Sequence, residues 1–375
     1  MKKSAFIIGS GIVGLAMARA LSLKGYAVTI VERNEKAIGA SIRNFGMIWP
    51  IGQPSGKLYD RAMRSRTVWK EIADEAGFWY DECGSLHLAY DSDEWTVLQE
   101  LNEAFNTEKR NSSLLKPGEV QGKYNGINGA NLKGGLFSKT ELIVDPRQAI
   151  AVIPKYLSEK YGVTFIWNHN VTEIKSNKVK VDDKFLSPDL IFICSGADFE
   201  TLYPEKFASL NLTKCKLQMM RFASDINSFR IGTAICGGLS LIHYQSFRAA
   251  PSLDLLVRRY EREFPEYLRL GIHVMVSQNG NGELTVGDSH EYGLTFSPFD
   301  EAYINDLITT YLKRFAITDS WRLSQSWHGI YPKLTDGNTD LFLKVEDGIY
   351  VVNGLGGAGM TLSFGFAEEA CQTFG

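Results

Sequence analysis

The sequence predicts an α/β protein, α+β overall, in which a domain with a doubly wound parallel sheet is interleaved with a second domain built on an antiparallel sheet. Three observations support this prediction: a strand, glycine turn and helix at the N-terminus; five glycines within residues 353–365; and alternating apolar strands from about 214 to 319. With 375 residues, 44% of them hydrophobic, the chain can bury the cores of two domains.

The first element is a glycine turn in "AFIIGSGIVGLAMARALSLKGYAVTIVER". The pattern predicts a strand at 5–8, a helix at about 12–24 that closes at Lys24 and a left-handed Gly25, and a strand at 27–32. This is the arrangement of a Rossmann-type dinucleotide site. The expected contacts are Gly9 for the turn, Gly11 for the approach of a pyrophosphate, Gly14 for packing of the helix on the strand, and the helix N-terminus at Ile12 and Val13 for its N–H groups.

The end of the second strand carries an acid, Glu32. Its carboxylate can accept hydrogen bonds from a ribose diol and would repel a 2′-phosphate. Arg33 follows as a further candidate contact. The segment therefore predicts FAD or NAD rather than NADP, and a purely structural glycine turn is the alternative.

Residues 39–54, "GASIRNFGMIWPIGQP", form the next element, a structured loop. Ligands of such folds bind at the carboxyl ends of parallel strands, so this loop is expected to contact the cofactor. The candidate contacts are Ser41, Arg43, Asn44, Phe45, Gly46 and Met47. The alternative is a surface connection with a salt-bridged arginine.

The middle of the chain alternates between the two domains. After the acidic helix and polar loops of residues 86–140, "ELIVDPRQAIAVIPKYLSEKYG" predicts a helix with Asp145 as N-cap and Pro146 at its first position. "DLIFICSGA", residues 189–197, then predicts a buried parallel strand that ends at a ligand. Its turn contributes Ser195 and Gly196 as contacts, and Cys194 is interpreted as packing rather than as a reactive thiol.

From about 214 to 319 the pattern becomes that of a half-buried antiparallel sheet. "IHVMVSQNGNGELTVGDSH" predicts a hairpin whose turn is Asn279 to Gly282. The segment 241–251 brings several hydrogen-bonding side chains together, namely His243, Tyr244, Gln245, Ser246 and Arg248. His243 fits either a substrate contact or a satisfied structural histidine.

Composition limits the function classes. The net charge of −3 and the lack of a basic tract argue against a nucleic-acid partner and give no strong membrane signal. Glycines interrupt the apolar N-terminal run, so we expect it to be retained rather than cleaved as a signal peptide. The five cysteines include no CxxC pair, so neither a metal site nor a disulfide framework is expected, and a reducing cytoplasm is predicted.

The motifs together resemble those of the D-amino-acid oxidase, glycine oxidase and sarcosine oxidase superfamily. The glycine spacing extends to Ala18 and Gly25, and "SIRNFG", "CSGA", "WHGIYPKLTDG" and "GLGGAGMTLSFG" add to the resemblance, which runs from residue 4 to the C-terminus. The resemblance implies bound FAD and oxidation of the C–N bond of a small amine. A hydride passes to flavin N5, and the imine hydrolyses to an aldehyde or ketone.

The resemblance also implies roles for residues. The C-terminal loop would precede a helix whose N-terminus faces the flavin, with Gly354, Gly356, Gly357 and Gly359 allowing close approach and Met360 and Thr361 beginning the helix. The backbone of Val171 would meet the adenine. Gly329 stands nearest to the position of the cysteine that links covalently to flavin in sarcosine oxidases, so noncovalent FAD is expected.

One departure from the superfamily concerns the substrate. Glycine and D-amino-acid oxidases commonly have an arginine for the substrate carboxylate where this chain has Tyr331. "SIRNFGMIWPIGQPSG", "FWYDECGSLHLAY" and "GIHVMVSQNGNGELTVGDSHEYG" are similar to a bacterial subgroup associated with phosphonate breakdown. That similarity implies 2-aminoethylphosphonate, or its N-methyl form, as substrate and phosphonoacetaldehyde as product. The candidate anion contacts are Arg43, His243, Tyr244, Gln245, Ser246, Arg248 and Tyr331, of which His243, Tyr331 and Arg43 are the predicted catalytic-site residues, with no base assigned.

The predicted FAD-binding domain comprises residues 1–85, 140–210 and 320–375, and the predicted substrate domain comprises 86–139 and 211–319. Three alternatives stay open: a sarcosine, glycine or D-amino-acid oxidase; a flavin-binding electron-relay subunit; and an NAD-dependent dehydrogenase. Either O2 or a quinone could reoxidise the flavin, and the oligomeric state is open.

Overall fold

The computed structural model describes residues 2–175, 177–226 and 229–374. Its strands are β1 (Ser4–Ile8), β2 (Ala27–Glu32), β3 (Met47–Ile48), β4 (Tyr80–Asp81), β5 (Ser85–Ala89), β6 (Ser112–Leu115), β7 (Gly134–Ser138), β8 (Leu142–Val144), β9 (Thr164–Trp167), β10 (Val171–Lys175), β11 (Lys178–Val181), β12 (Lys184–Leu186), β13 (Leu190–Ile193), β14 (Leu212–Ser224), β15 (Ala234–Cys236), β16 (Met275–Gln278), β17 (Leu284–Gly287), β18 (Glu291–Gly293), β19 (Trp321–Leu334), β20 (Leu341–Glu346) and β21 (Ile349–Asn353).

Its α-helices are α1 (Ile12–Leu23), α2 (Lys57–Ala76), α3 (Ser92–Thr107), α4 (Pro117–Lys123), α5 (Pro146–Tyr161), α6 (Pro204–Ala208), α7 (Leu253–Glu263), α8 (Pro265–Arg269), α9 (Ala302–Phe315) and α10 (Gly359–Cys371). Short 3-10 turns cover Ala40–Ile42, Pro50–Gly52, Gly238–Ile242, Gln245–Ala249 and Gly356–Ala358.

A parallel sheet with the order β20-β21-β13-β1-β2-β9 forms the first layer, with only the β20–β21 pairing antiparallel. The central strand β1 is an apolar run, which suits a strand covered on both faces. Helices α1, α2, α5 and α10 pack with one another beside this sheet, and their apolar residues share one buried core. The carboxyl ends of β1, β2 and β13 therefore meet at one edge.

A larger sheet with the order β18-β14-β17-β16-β15-β5-β7-β6 forms the second layer, and β19 pairs along the whole length of β14. All of these pairings are antiparallel except the one between β15 and β5. The predicted boundary at residue 320 falls just before β19, and β19 belongs by its pairing to this second sheet. The two sheets confirm the predicted fold class.

Local predictions at element ends agree with the structure. Helix α1 is capped at Lys24, with Gly25 at a φ of +86°. The Asp145 side chain accepts hydrogen bonds from the N–H groups of Arg147 and Gln148 at the start of α5. Strands β16 and β17 form the predicted hairpin, in which Gly282 N–H donates to Asn279 O.

The C-terminal helix α10 packs closely against α2. Trp69 Nε1 donates to Met360 O at 2.7 Å, and Ser65 Oγ accepts from Gly365 N–H at 2.8 Å. A Cβ at Gly365 would lie 2.5 Å from Arg61 O. Gly365 therefore allows α10 and α2 to pack closely. The hydrogen bond between Trp69 and Met360 holds the start of α10.

Candidate active site

A cavity of about 1250 Å³ extends between the two sheets. One end is lined by the β1–α1 turn, the carboxyl end of β2 and the turn after β13, and the other by residues of β16, β19 and the loops beside them. Most of the predicted site residues line it: Gly9, Gly11, Ile12, Val13, Glu32, Arg33, Ser41, Arg43, Asn44, Phe45, Met47, Val171, Ser195, Gly196, His243, Gly329, Tyr331, Gly356, Gly357, Gly359, Met360 and Thr361.

The β1–α1 turn depends on glycine at two positions. Gly9 has a φ of +104°, and a Cβ there would lie 2.4 Å from Cys194 O. A Cβ at Gly14 would lie 2.0 Å from Gly9 O, so Gly14 contributes through packing rather than by lining the cavity. The N-cap residue Gly11 has no side chain, and Ser41 Oγ accepts from Ile12 N–H at 2.9 Å. The predicted contact Ser41 thus lies at the helix N-terminus, where an anion is favoured.

Glu32 is buried at the end of β2 and holds the turn in place. One carboxylate oxygen accepts from the N–H and hydroxyl of Ser10 at 3.0 and 3.1 Å. The other accepts from the backbone and side-chain N–H groups of Asn34 at 3.1 and 3.0 Å. The neighbouring Arg33 pairs with Asp198 at 2.8 Å.

The loop of residues 39–54 is structured, as predicted. Arg43 Nη1 donates to the carbonyl of His328 at 3.2 Å, so its partner is a backbone oxygen rather than a carboxylate. Asn44 bridges within the loop, donating to the carbonyls of Ala40 and Ser41. Gly46 lies away from the cavity lining, because its packing is against β8, where a Cβ would lie 2.0 Å from Val144 O.

Residues 355–358, which we call the C-terminal turn, and the first residues of α10 line the FAD end of the cavity. Thr361 Oγ1 accepts from Trp49 N–H at 2.9 Å, while the N-cap Ala358 provides no side-chain cap. The first N–H groups of α10 therefore remain for a ligand or water. Gly354 lies outside the described lining, and its φ of +76° serves the turn after β21.

These features fit FAD. Two helix N-termini whose N-cap residues make no side-chain cap hydrogen bond, those of α1 and α10, border one continuous cavity. A Cβ at Gly9 would meet backbone, which explains why the turn needs glycine there. Helix N-termini favour phosphate and other negative charge.

The other end of the cavity contains three histidines that approach one another. His243, His273 and His290 each place one ring nitrogen within 4.8 Å of the corresponding ring nitrogens of the other two. The ring centroids of His243 and His273 are 3.7 Å apart, and each is 5.1 Å from that of His290. His243 follows the 3-10 turn after β15, His273 precedes β16, and His290 follows β17. We call these three residues the histidine cluster.

Two histidines of the cluster are oriented by protein contacts. His273 Nε2 lies 3.1 Å from a carboxylate oxygen of Asp288, and the backbones of these residues exchange two hydrogen bonds. His273 Nδ1 is buried without a partner in the described residues. His290 Nδ1 lies 2.9 Å from the carbonyl of Gly271.

The surroundings favour the neutral forms of these groups. Burial raises the pKa of Asp288 well above its ordinary value. Burial, and then repulsion from the other two histidines, lowers the pKa of His273. Burial lowers the pKa of His290 to about 4, with Lys333 contributing. Enclosure in the cavity, and then the charges of His290 and Lys333, lowers the pKa of His243.

Strand β19 supplies two further side chains beside the cluster. Lys333 Nζ donates to Tyr292 Oη at 3.0 Å. A Cβ at Gly357 would lie 3.5 Å from Tyr331 Oη, so Tyr331 borders the C-terminal turn. Burial, and then the Cys215 thiol, raises the pKa of Tyr331. Tyr331 therefore offers a neutral hydroxyl beside the C-terminal turn.

The remaining anion candidates from segment 241–251 divide into two groups. Tyr244 and Gln245 line the cavity. Ser246 Oγ donates instead to Ile51 O at 2.6 Å, and Arg248 is an exposed residue outside the described lining. Neither of these two residues reaches the cavity, since both belong to a 3-10 turn that presents other residues to it.

The sequence interpretation missed His273, Asp288, His290 and Lys333 as site residues. The signal was present for three of them, because His273 comes just before the first strand of the predicted hairpin and Asp288 and His290 come just after the second. Antiparallel pairing returns such residues to the same end of the hairpin. Lys333 gave no comparable signal, because its place depends on the pairing of β19 with β14.

None of the helices in the described residues combines the length and apolar character needed to cross a bilayer.

Comparisons with known proteins place the chain in a family. The DAO family, described as FAD dependent oxidoreductase, matches residues 4–373. Among curated proteins, the tRNA 5-methylaminomethyl-2-thiouridine biosynthesis bifunctional protein MnmC of Saccharophagus degradans is 24% identical over 247 residues, covering 63% of this chain and 34% of that protein. The chain thus spans about a third of the length of this relative.

Solved structures match over nearly the whole chain. The L-proline dehydrogenase from P. horikoshii superposes with a TM-score of 0.79 at 19% identity, covering 100% of this chain and 93% of that one. The glycine oxidase from Geobacillus kaustophilus gives a TM-score of 0.79 at 18% identity, covering 99% and 94%. The fold is shared, and the family match confirms the predicted FAD cofactor and oxidoreductase class. The chain belongs to the DAO family of FAD-dependent oxidoreductases.

Proposed function

We propose that this enzyme oxidises the C–N bond of a small amine that carries a phosphonate, 2-aminoethylphosphonate or its N-methyl form, and releases phosphonoacetaldehyde. The observation that supports this most directly is the content of the cavity. One end fits FAD, and the other brings the histidine cluster, Tyr331 and Lys333 together. The sequence resemblance implies that Tyr331 replaces an arginine that binds the substrate carboxylate in the related oxidases.

The residues at the FAD end would hold the cofactor without a covalent link. The β1–α1 turn and the N-terminus of α1 would bind the pyrophosphate, and Glu32 would face the ribose. When bound, FAD supplies the acceptor for the hydride that leaves the amine carbon, and water hydrolyses the resulting imine to aldehyde and amine or ammonia. The N-terminus of α10 would favour the negative charge that accompanies reduction.

The residues between the two ends would position the substrate. Tyr331 borders the C-terminal turn, so its neutral hydroxyl can donate to an anion or accept from an amine there. The lowered pKa of His243 keeps its imidazole neutral near pH 7, so its ring can donate one hydrogen bond to an anion and accept another. Reaction requires the amine in its neutral form, and these contacts would hold the reacting carbon in place.

A second substrate class has one observation in its favour. The Arg43 guanidinium lines the cavity, and its described partner is a backbone carbonyl rather than a carboxylate. It could therefore bind the carboxylate of sarcosine, glycine or a D-amino acid. The histidine cluster and Lys333 would then lack a ligand, which is why we favour the phosphonate.

Anaerobic mixing with a panel of amines tests the substrate. The panel contains 2-aminoethylphosphonate, its N-methyl form, sarcosine, glycine, D-alanine and ethylamine, and the visible flavin band reports reduction. We expect one of the phosphonates to reduce the flavin at least about tenfold faster than the carboxylates and ethylamine, which corresponds to about 1.4 kcal/mol of selective binding or positioning.

Two other results would contradict the proposal. Faster reduction by sarcosine, glycine or D-alanine would assign the carboxylate class and make Arg43 the main anion contact. A protein that retains flavin yet is reduced by none of the amines would favour an electron-relay role. Reoxidation of the reduced enzyme by O2 or by a soluble quinone then identifies the acceptor.

A further inference from the structure

We propose that the histidine cluster and Lys333 form a binding subsite for a tetrahedral phosphorus oxyanion, a group that the phosphonate of the substrate would supply. This inference rests on the proposed function for the identity of its natural ligand. The presence of the subsite itself is argued from the geometry and charge of the described residues.

The first argument is an unpartnered donor. His273 is 4% exposed, and its Nδ1 is buried without a partner in the described part of the chain, although the residue lines the cavity. Its Nε2 faces Asp288 at 3.1 Å. This contact is not a hydrogen bond, because Asp288 Oδ1 is itself without a partner in the described residues, so the neutral His273 ring can carry its proton on Nδ1. A buried N–H without a partner costs free energy, and a ligand oxygen would satisfy it.

The second argument is charge. The hydrogen-bond partner of Lys333 among the described residues is the phenol of Tyr292 rather than a carboxylate, and its charge already depresses the pKa of His243 and His290. A bound cation would meet the same repulsion, whereas an anion would relieve it. The carboxyl group of Asp288, which lies 3.1 Å from His273, has a pKa that burial raises. The site therefore lacks negative charge.

The third argument is the shape of the donor set. The histidines come from three separate loops around β15, β16 and β17, and Lys333 comes from β19. Donors that approach from several directions suit a tetrahedral group, whereas a planar carboxylate is better matched by the fork of one arginine. The Tyr331 hydroxyl borders the C-terminal turn in the same cavity, so an anion bound by this set would direct the rest of its molecule toward the flavin end.

Binding would change the protonation of the cluster. His290 Nδ1 faces a carbonyl, so the neutral ring presents a lone pair at Nε2 and must gain a proton to donate to the anion. The groups that face it are His243 and His273, Tyr292 of β18 and Lys333 of β19, with the acid Asp288 on the far side of His273. A bound anion raises the pKa of nearby imidazoles by about 1 to 3 units, so His290, whose pKa is about 4 without a ligand, should take up protons on binding between about pH 5 and pH 7.

Calorimetric titration of the FAD-loaded enzyme tests the subsite. The probes are methylphosphonate, inorganic phosphate and acetate at pH 6, in two buffers of different ionisation enthalpy. We expect the phosphorus oxyanions to bind at least about tenfold more tightly than acetate. The buffer dependence should show net proton uptake of at least about half a proton per site. Equal affinity for acetate, or binding without proton uptake, would overturn the proposal.

Variants connect the binding to these residues. Lys333→Met and His290→Gln should each weaken methylphosphonate binding by about tenfold or more, while flavin content and melting temperature stay near wild type. Lys344→Met is the matched control, because Lys344 is exposed and pairs with Asp347 on the surface. Unchanged affinity in both cluster variants would refute the assignment. Stoichiometric zinc that is lost in His290→Gln would show a metal site instead.

The same enzyme separates this proposal from the proposed function. Flavin reduction is measured with 2-aminoethylphosphonate and with O-phosphoethanolamine, both at pH 8. The compound that reduces the flavin shows whether the natural group is a phosphonate or a phosphate ester. If no amine reduces the flavin but Lys333-dependent phosphonate binding persists, the subsite stands and the amine chemistry fails. If the amines reduce the flavin with rates that Lys333→Met leaves unchanged, the subsite fails and the amine chemistry stands.

Discussion

Gly14→Val is expected to yield a protein without bound flavin. The Cβ added at Gly14 would lie 2.0 Å from Gly9 O and 3.4 Å from the Ile7 side chain. The first contact is with backbone, so helix α1 must move away from the turn. The N-terminus of α1 would then shift out of the position in which we propose that it binds the pyrophosphate. We expect a loss of about 3 kcal/mol or more in the free energy of unfolding, together with loss of the yellow colour.

The measurement is flavin absorbance per polypeptide after purification, followed by titration with added FAD. Gly122→Ala in helix α4 is the control, because a Cβ there meets nothing within 4 Å and its φ is not in the left-handed region. This control should keep its flavin and gain up to about 1 kcal/mol of stability from helix propensity. A Gly14→Val protein with wild-type flavin content would show that the cofactor does not depend on this turn.

Features set by neighbouring residues were predicted well from the sequence. The β1–α1 turn, the Asp145 N-cap and the turn between β16 and β17 each depend on a few adjacent residues whose backbone preferences are strong. Their positions in the structure agree with the expectation. The spacing of the glycines also predicted that the N-termini of α1 and α10 would border the cavity.

Features that depend on distant pairing were not predicted. Strand β19 joins β14 across about a hundred residues, and nothing in its own pattern indicates that partner. Gly365 belongs to the contact between α10 and α2, which the glycine count alone could not separate from the turn before it. The histidine cluster needs three loops to converge, so His243 alone was named in advance.

Three of the predicted cofactor contacts, Ser41, Asn44 and Gly46, make contacts within the protein that explain why these residue types occur there. Ser41 accepts from the first N–H of α1, and Asn44 shapes the loop by donating to two carbonyls. Gly46 permits the close approach of β8. Their assignment as cofactor contacts remains a prediction, since a residue near the cofactor can act by holding the loop that touches it.

Arg61→Ala is expected to destabilise the protein by about 3 kcal/mol and to weaken FAD binding. The Arg61 side chain is 2% exposed and pairs with Glu369 of α10 at 2.7 Å and with Asp340. It also lies over the Phe366 ring at 5.0 Å. Removing it takes away buried packing and leaves two partly buried carboxylates with less compensation. Helix α10 would be held less firmly, and the start of α10 lines the FAD end of the cavity.

Lys57→Ala is the control, because Lys57 lies near the same carboxylate, that of Glu369. Lys57 is 76% exposed and approaches Glu369 at 3.7 Å, so its removal should change the free energy of unfolding by less than about 0.5 kcal/mol. Urea unfolding of the FAD-free and FAD-loaded forms measures both variants. If α10 couples this ion pair to the cofactor, Arg61→Ala should lose more stability in the loaded form than in the free form. An equal loss in both forms would mean that Arg61 stabilises the fold without positioning α10 for FAD.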